Sequence, residues 1–318
     1  MTLKRLKQFL SKKKKQIMLF LYYSKHFSLK PIKTKQIVVC FDGLFPHGGL
    51  VDRLKGIVSF YLIAKALGYD FKILFDTPFE LDVFLQPNAI DWKFKRSNVK
   101  WHPTKTRCLY FINNFNANPL AVIKKSNASQ FYVYANIDYS KSIFPELNQD
   151  DLEKKWREGF NQLFKKSDFL EEKLNTISTE PFIAFHSRFT SLMGDFKDTT
   201  SKKLSAEEKN RLCDVLLQII NRVKAEEQQK AYLFSDSINF IKHIKQQVEI
   251  NTIEGNPFHM DNFEMRSGIE GHLKTMIDFF MISKSKKVYF LKVKPMYNSS
   301  FSKYAAIIGN VNFECLEV

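Results

Sequence analysis

Residues 36–75 read QIVVCFDGLFPHGGLVDRLKGIVSFYLIAKALGYDFKILF, and this stretch decides the fold. Its first six residues are an apolar run rich in β-branched side chains, the pattern of a buried strand. Asp42-Gly43 and a turn-rich loop follow. Val51, Leu54, Ile57, Val58, Tyr61, Leu62 and Leu67 then recur at helical spacing, and Gly68 stands where a helix closes on a left-handed residue. FKILF at 71–75 is a second strand. Strand, glycine-rich loop, helix, strand is a βαβ unit, which implies a parallel sheet.

Outward from that unit the signal first weakens. Short strands are expected at 109–112 and 131–137. A single long helix is expected over 150–174, with Leu152, Trp156, Phe160, Leu163 and Phe164 on one face. The alternation then restarts, with strands at 181–185, 231–234, 287–291 and 313–316. Between them come helices at 205–224, 237–247, 271–283 and 299–309. Ser205 with Glu208 three residues on has the spacing of a capping box. The expected fold is α/β, with two Rossmann-like lobes facing each other across a cleft at the carboxyl ends of their strands. The expected division is a basic segment over 1–35, an N-terminal lobe over 36–178 and a C-terminal lobe over 179–318.

The chain has 318 residues, and its net charge of +16 is unevenly spread. The first 36 residues hold 11 Lys and Arg and no acid, which leaves 38 basic and 33 acidic residues in the other 282. The body is thus only mildly basic, which argues against a nucleic-acid binder. Leu3, Leu6, Phe9 and Leu10 fall at helical spacing among lysines. That pattern suits an anionic membrane surface, and equally a solvated tail. The apolar run 17–23 is too short to cross a bilayer, which takes about 20 residues. No small-residue cleavage site follows it, which argues against secretion. Cys40, Cys108, Cys213 and Cys315 have neither zinc-site nor disulfide spacing and read as reduced thiols in a cytoplasmic protein.

No GxxxxGK[ST], HExxH or GxSxG occurs, and no Asp-x-Asp pair. A nucleotide-sugar enzyme without paired carboxylates for a divalent cation must neutralise phosphate with Arg, Lys, amides and hydroxyls. Four segments offer such groups. His47-Gly48-Gly49 with Asp52 and Arg53 lies at a strand-to-helix turn where backbone can approach a ligand; a plain tight turn reads the same way. His186 and Arg188 share pleat parity at a strand end, where an Arg can take phosphate bidentately; a surface Arg and a core His are the alternative. Ser235-Asp236 opens a helix and is either a ribose contact or a cap. Ser299, Ser300 and Phe301 start another helix, as pyrophosphate donors or as an ordinary cap.

In this order and spacing the segments resemble the fucosyltransferase superfamily of GT-B glycosyltransferases, which includes α1,2-, α1,6- and protein O-fucosyltransferases and the nodulation fucosyltransferase. GGLVDRLKG resembles the family's GGL-x-[DN]-R segment, FIAFHSR its H-x-R-R-x-D strand end, YLFSDS its [ST]-D loop, and NSSFSKYAAIIG its C-terminal serine-rich helix start. The pattern's second Arg is Phe189 here, and its acid is displaced toward Asp195.

The resemblance implies that Arg188, with His186 beside it, binds the β-phosphate of a GDP-sugar. It places Ser299, Ser300 and Phe301 along the phosphate and sugar, and Ser235 and Asp236 near the nucleoside. It makes Gly48, Gly49, Asp52 and Arg53 a cleft wall, with Asp52 or His47 as general base. It implies a metal-independent inverting enzyme with GDP-fucose as donor substrate and no cofactor. A bacterial surface-polysaccharide or lipopolysaccharide acceptor and a peripheral place on the inner membrane face complete the expectation. The alternatives are a non-catalytic nucleotide- or carbohydrate-binding protein, and a basic protein acting through residues 1–35.

Overall fold

The computed structural model describes residues 3–32, 34–177, 180–196, 201–261 and 269–317, with side chains from Lys13 onward. The face proposed from Leu3, Leu6, Phe9 and Leu10 therefore lies outside the described side chains. In chain order the strands are β1 Gln36–Phe41, β2 Asp70–Phe75, β3 Leu85–Pro87, β4 Thr106–Tyr110, β5 Gln130–Tyr134, β6 Phe164–Lys166, β7 Phe182–Ser187, β8 Lys230–Ser235, β9 Lys287–Lys292 and β10 Asn312–Glu317. The helices are α1 Leu3–Ser24, α2 Leu50–Leu67, α3 Pro119–Lys124, α4 Ser140–Ile143, α5 Gln149–Leu163, α6 Asp168–Asn175, α7 Ala206–Glu227, α8 Ile238–Gln247, α9 Ile269–Lys284 and α10 Phe301–Gly309.

The chain divides into two compact units. Unit 1 holds residues 1–48, 52–81 and 87–165; unit 2 holds 49–51, 82–86 and 166–318. Each is built on a four-stranded sheet, β2-β1-β5-β4 in unit 1 and β10-β9-β7-β8 in unit 2. Every pairing within these two sheets is parallel. β3 and β6 form a separate short pair. The two Rossmann-like α/β sheets expected from the sequence are thus both present.

Strand order matters for function. From β1 the chain crosses to β2 on one side and later enters β5 on the other. From β7 it crosses to β8, then enters β9 on the opposite side. The switch points therefore lie between β1 and β5, and between β7 and β9. Ligands of open α/β sheets bind outside the carboxyl ends of the strands at such points.

Local chemistry explains most boundaries. α7 carries the expected capping box, in which Glu208 N donates to Ser205 Oγ at 3.2 Å and Ser205 N donates to Glu208 Oε2 at 2.7 Å. Gly68 follows α2 at φ +65°. The single helix expected over 150–174 is instead interrupted: α5 stops at Leu163, β6 is extended, and α6 restarts at Asp168. Ser167 makes the break. Its Oγ accepts from Leu170 N at 3.2 Å as an N-cap and donates to Val83 O at 2.6 Å. The apolar spacing ran on through the interruption and concealed it, because burial alone does not distinguish one helix from two.

Unit 1 also buries part of α1. Leu19 and Tyr23 lie in its core; Tyr23 stacks on Tyr132 at 4.5 Å, and its hydroxyl lies 2.9 Å from that of Tyr134. Among the described residues no helix is long and apolar enough to cross a membrane. All four cysteines are free thiols, with Cys40 and Cys213 buried.

Candidate functional site

At the unit 1 switch point, β1 runs into Asp42 and a loop held from below. Tyr134, on neighbouring β5, donates its hydroxyl to Asp42 Oδ2 at 2.9 Å, and Leu44 N donates to Asp42 Oδ1 at 3.1 Å. His47 is buried beneath the turn. Its Nδ1 lies 2.9 Å from Phe45 O, its ring sits 4.6 Å from Phe41 and 5.9 Å from Tyr134, and its carbonyl accepts from Asn136 Nδ2 at 3.2 Å. Gly48 has φ +87°, a conformation an L side chain resists, and a Cβ there would come 2.4 Å from Asp52 Oδ2. The Arg53 guanidinium, 2 % exposed, donates to Gly48 O. Gly49 faces open space, and a Cβ at that position would meet nothing within 4 Å. Asp52 is the accessible acid here: its side chain is 42 % exposed and pairs with Lys55 at 3.4 Å.

At the unit 2 switch point, β7 ends in His186-Ser187-Arg188. His186 is enclosed between Phe290 at 5.4 Å and Phe301 at 5.5 Å, and its Nδ1 lies 2.9 Å from Ser302 Oγ. Burial, and secondarily the Arg188 charge, hold its pKa down at about 3, so its ring is neutral at physiological pH. Arg188 turns outward with a side chain 20 % exposed. Its Nε stands 3.3 Å from Asp236 Oδ2, and its guanidinium lies 4.6 Å over the Phe196 ring. An Arg held on one edge by a carboxylate and on one face by an aromatic is oriented before any ligand arrives.

Asp236 organises this loop. Its carboxylate accepts from Phe189 N at 2.8 Å and Thr190 N at 2.7 Å. Burial pushes its pKa up, and Arg188 and these amides oppose that. The cap of α8 is the next residue, Ser237, whose Oγ accepts from Phe240 N at 3.1 Å. Ser235 Oγ accepts from Ser187 Oγ at 3.0 Å and ties the ends of β7 and β8 together. Phe189 is buried and packs on Phe240 at 4.8 Å. The displaced acid, Asp195, accepts from Ser237 Oγ at 3.0 Å and Asn239 N at 2.7 Å, so it braces the start of α8.

The α10 start completes the unit 2 group. Ser299 and Ser300 are half-buried, and Phe301 N donates to Ser299 Oγ at 3.2 Å. Ser300 is the N-cap residue but makes no side-chain cap bond. Tyr297 N donates to Arg188 O at 3.3 Å, which joins the segment before α10 to the end of β7. The structure thus brings His186, Arg188, Ser235, Asp236 and the 299–301 segment to one end of one sheet. It gathers His47, Gly48, Asp52 and Arg53 at the matching end of the other.

Sequence reasoning missed Ser302, Phe196 and Phe290. Ser302 lies within the quoted serine-rich segment, one residue past the helix start. Phe196 and Phe290 carry no sequence signal, since only the fold sets them against Arg188 and His186.

The fold resembles those of solved fucosyltransferases. NodZ α-1,6-fucosyltransferase soaked with GDP-fucose aligns with a TM-score of 0.53 at 13% identity, over 87% of this chain and 93% of that one. The same enzyme co-crystallised with GDP gives 0.53 at 14% identity, over 86% and 92%. A mutant of Arabidopsis thaliana FUT1 in complex with GDP gives 0.56 at 12% identity, over 96% and 74%. No protein-family model matches the chain, and no curated protein matches it in sequence. At these identities the likeness establishes the fold.

Proposed function

We propose that this protein is a metal-independent inverting glycosyltransferase that moves fucose from GDP-fucose to a glycan acceptor. The observation that carries the reading is Arg188: a partly open guanidinium at the β7–β9 switch point, pre-oriented by Asp236 and Phe196. Neighbours of the same fold were crystallised with GDP-fucose and GDP, which supports a GDP-sugar as the ligand of that Arg. The absence of any Asp-x-Asp pair supports charge neutralisation by protein groups.

In this reading the acceptor hydroxyl attacks the anomeric carbon of fucose. The bond from that carbon to the β-phosphate oxygen breaks, and GDP leaves with an added negative charge. Arg188 takes that charge, with hydroxyls and amides of 299–301 beside it. His186, neutral and packed between aromatic rings, fixes the floor and holds Ser302. Ser235 and Asp236 stand on the nucleoside side. Asp52 is the proposed general base, as the accessible acid of its loop, with His47 bracing the turn beneath it. A lipid-linked glycan of bacterial surface polysaccharide or lipopolysaccharide is the acceptor class we favour, because the acid-free basic segment 1–36 suits an anionic membrane surface.

The test is thermal stabilisation by GDP-fucose against GDP-mannose and UDP-sugars, followed by GDP release with acceptor extracts in the presence of EDTA. Selective stabilisation by guanosine nucleotides and chelator-resistant release are expected. UDP-sugar preference would sink the donor assignment. A second reading, a non-catalytic nucleotide-binding protein, draws on Phe189, which buries the position where the resembled motif carries a second Arg. Tight GDP binding without transfer to any acceptor would favour it.

A further inference from the structure

Unit 1 exposes an apolar surface that its core does not use. α1 turns Leu19 and Tyr23 inward, and Lys15 Nζ reaches back to donate to the Tyr110 hydroxyl at 2.7 Å. The opposite stripe, Ile17, Phe20 and Leu21, occupies positions i, i+3 and i+4 and points away from the sheet. Phe27 and Leu29 follow in the segment after the helix. All five are more than half exposed.

The two aromatic members of this surface share one neighbour. The rings of Phe20 and Phe27 stand 5.5 and 6.4 Å from the half-buried Trp101 ring. The segment after α1 is pinned there, with Ser28 N donating to Trp101 O at 2.9 Å and Trp101 N to His26 O at 2.8 Å. Because Leu19 and Tyr23 anchor the helix in the core, the patch is held on a rigid support.

Charge selects its occupant. Residues 1–41 contain no Asp or Glu. Residues 92–137, which contain Trp101, also contain none, and besides an Arg96 paired with Asp76 they carry Lys93, Lys95, Lys100, Lys105, Arg107, Lys124 and Lys125. Lys13, Lys14, Lys25, Lys30, Lys100 and Lys105 are exposed. A second copy of the chain would bring the same positive charge and be repelled. Nucleic acid would match the charge but leave the aliphatic side chains Ile17, Leu21 and Leu29 without an apolar environment. An anionic lipid bilayer satisfies both, with apolar side chains below the headgroups, an aromatic at the interface and lysines on lipid phosphates.

We infer that this face is a monotopic membrane-docking surface, in which Ile17, Phe20, Leu21, Phe27 and Leu29 insert into the headgroup boundary of an anionic bilayer. It deepens the membrane reading given with the proposed function, which needs charge alone, and it is independent of the sugar donor.

The test uses the full chain with phosphatidylcholine vesicles, with and without phosphatidylglycerol, at low and high salt. Trp92 and Trp156 are buried, so quenching of tryptophan emission by brominated lipid reads Trp101. Binding to the anionic vesicles with quenching is expected. The triple variant Ile17→Ser/Phe20→Ser/Leu21→Ser should bind about tenfold more weakly or worse and lose the quenching. Its melting temperature should fall by only a few degrees, from the lost Phe20–Trp101 contact, and its stabilisation by GDP should match wild type. Equal binding by variant and wild type without quenching, abolished by salt, would overturn insertion and leave a purely electrostatic contact. No binding to anionic vesicles would overturn both membrane readings, and a dimer that the triple variant dissolves would make a second copy the occupant. GDP stabilisation measured on the same samples keeps the donor reading separate.

Discussion

The loops after β1 and β7 occupy equivalent places in two parallel sheets, and a buried carboxylate anchors each, Asp42 through Leu44 N and the Tyr134 hydroxyl and Asp236 through the 189–190 amides, yet they present groups of opposite sign. The β1 loop adds a turn at a glycine to its Asp42 anchor. A left-handed Gly48 turns the chain, the buried Arg53 clamps its carbonyl, and a carboxylate, Asp52, is left toward solvent. The β7 loop is fixed by side chains. Asp236 gathers two amides and one guanidinium, and the group left toward solvent is a cation, Arg188. Each loop also seats a buried histidine among aromatic rings, under the turn in one and beside the strand end in the other. Equivalent position in a fold therefore does not fix the sign of the group presented. In one the outward group is an acid beside a left-handed glycine, and in the other it is an arginine that a buried acid orients.

The two arginines offer the sharpest way to break this comparison. Arg53→Ala should destabilise the protein by about 3 kcal/mol in urea unfolding, because it removes a buried clamp and leaves Gly48 O without that donor. Arg188→Lys retains a charge beside Asp236 and should unfold like wild type. It should nonetheless lose about 100-fold in GDP-fucose turnover, since a point charge cannot replace the fork on a phosphate. If both variants behaved alike, the division into a structural and a ligand-facing arginine would fail.

The pH dependence tests the second loop alone. A buried His186 with its pKa lowered to about 3 binds fewer protons folded than unfolded, where the value is about 6.5. Its contribution is complete above that upper value and is lost as pH falls toward 3, at about 1.4 kcal/mol per pH unit in between. Urea unfolding at pH 5.5 and pH 4.5 should show that slope, and His186→Gln should reduce it. An unchanged slope in the variant would place the titrating group elsewhere.

The smallest expected effects contrast the paired glycines. Gly48→Ala meets a positive φ and the Asp52 carboxylate, and should cost about 1–2 kcal/mol. Gly49→Ala meets open space and should shift the melting temperature by less than the measurement error. If Gly49→Ala nevertheless abolished turnover with GDP-fucose, the open space above it would be functional.

Much of the fold was legible because parallel strands buried on both faces read as short apolar runs, as in QIVVCF and FIAFHS. The capping box of α7 was equally plain, because both partners lie within one turn. The break at Ser167 was not: its cap bond to Leu170 N is local, but the extended β6 before it is held by β3 and Ser167 by Val83 O, both distant in sequence. The same limit governs the candidate site. The sequence singled out His186, Arg188, Asp236 and the serines at 299–300 as candidates, and the structure places them at a strand end and at helix starts. Only the fold assigned Asp236 to the 189–190 amides and left the cap of α8 to Ser237, and only the fold brought Phe196 over Arg188 and Ser302 to His186. The apolar run 17–23 shows the difference most simply. Its sequence determined that it could be buried, but its helical phase against Tyr132 and Tyr134 decided that Leu19 and Tyr23 are, and that Ile17, Phe20 and Leu21 remain at the surface. Local patterns fix what a segment can bury, whereas which face meets a partner depends on contacts across the chain that no window of sequence contains.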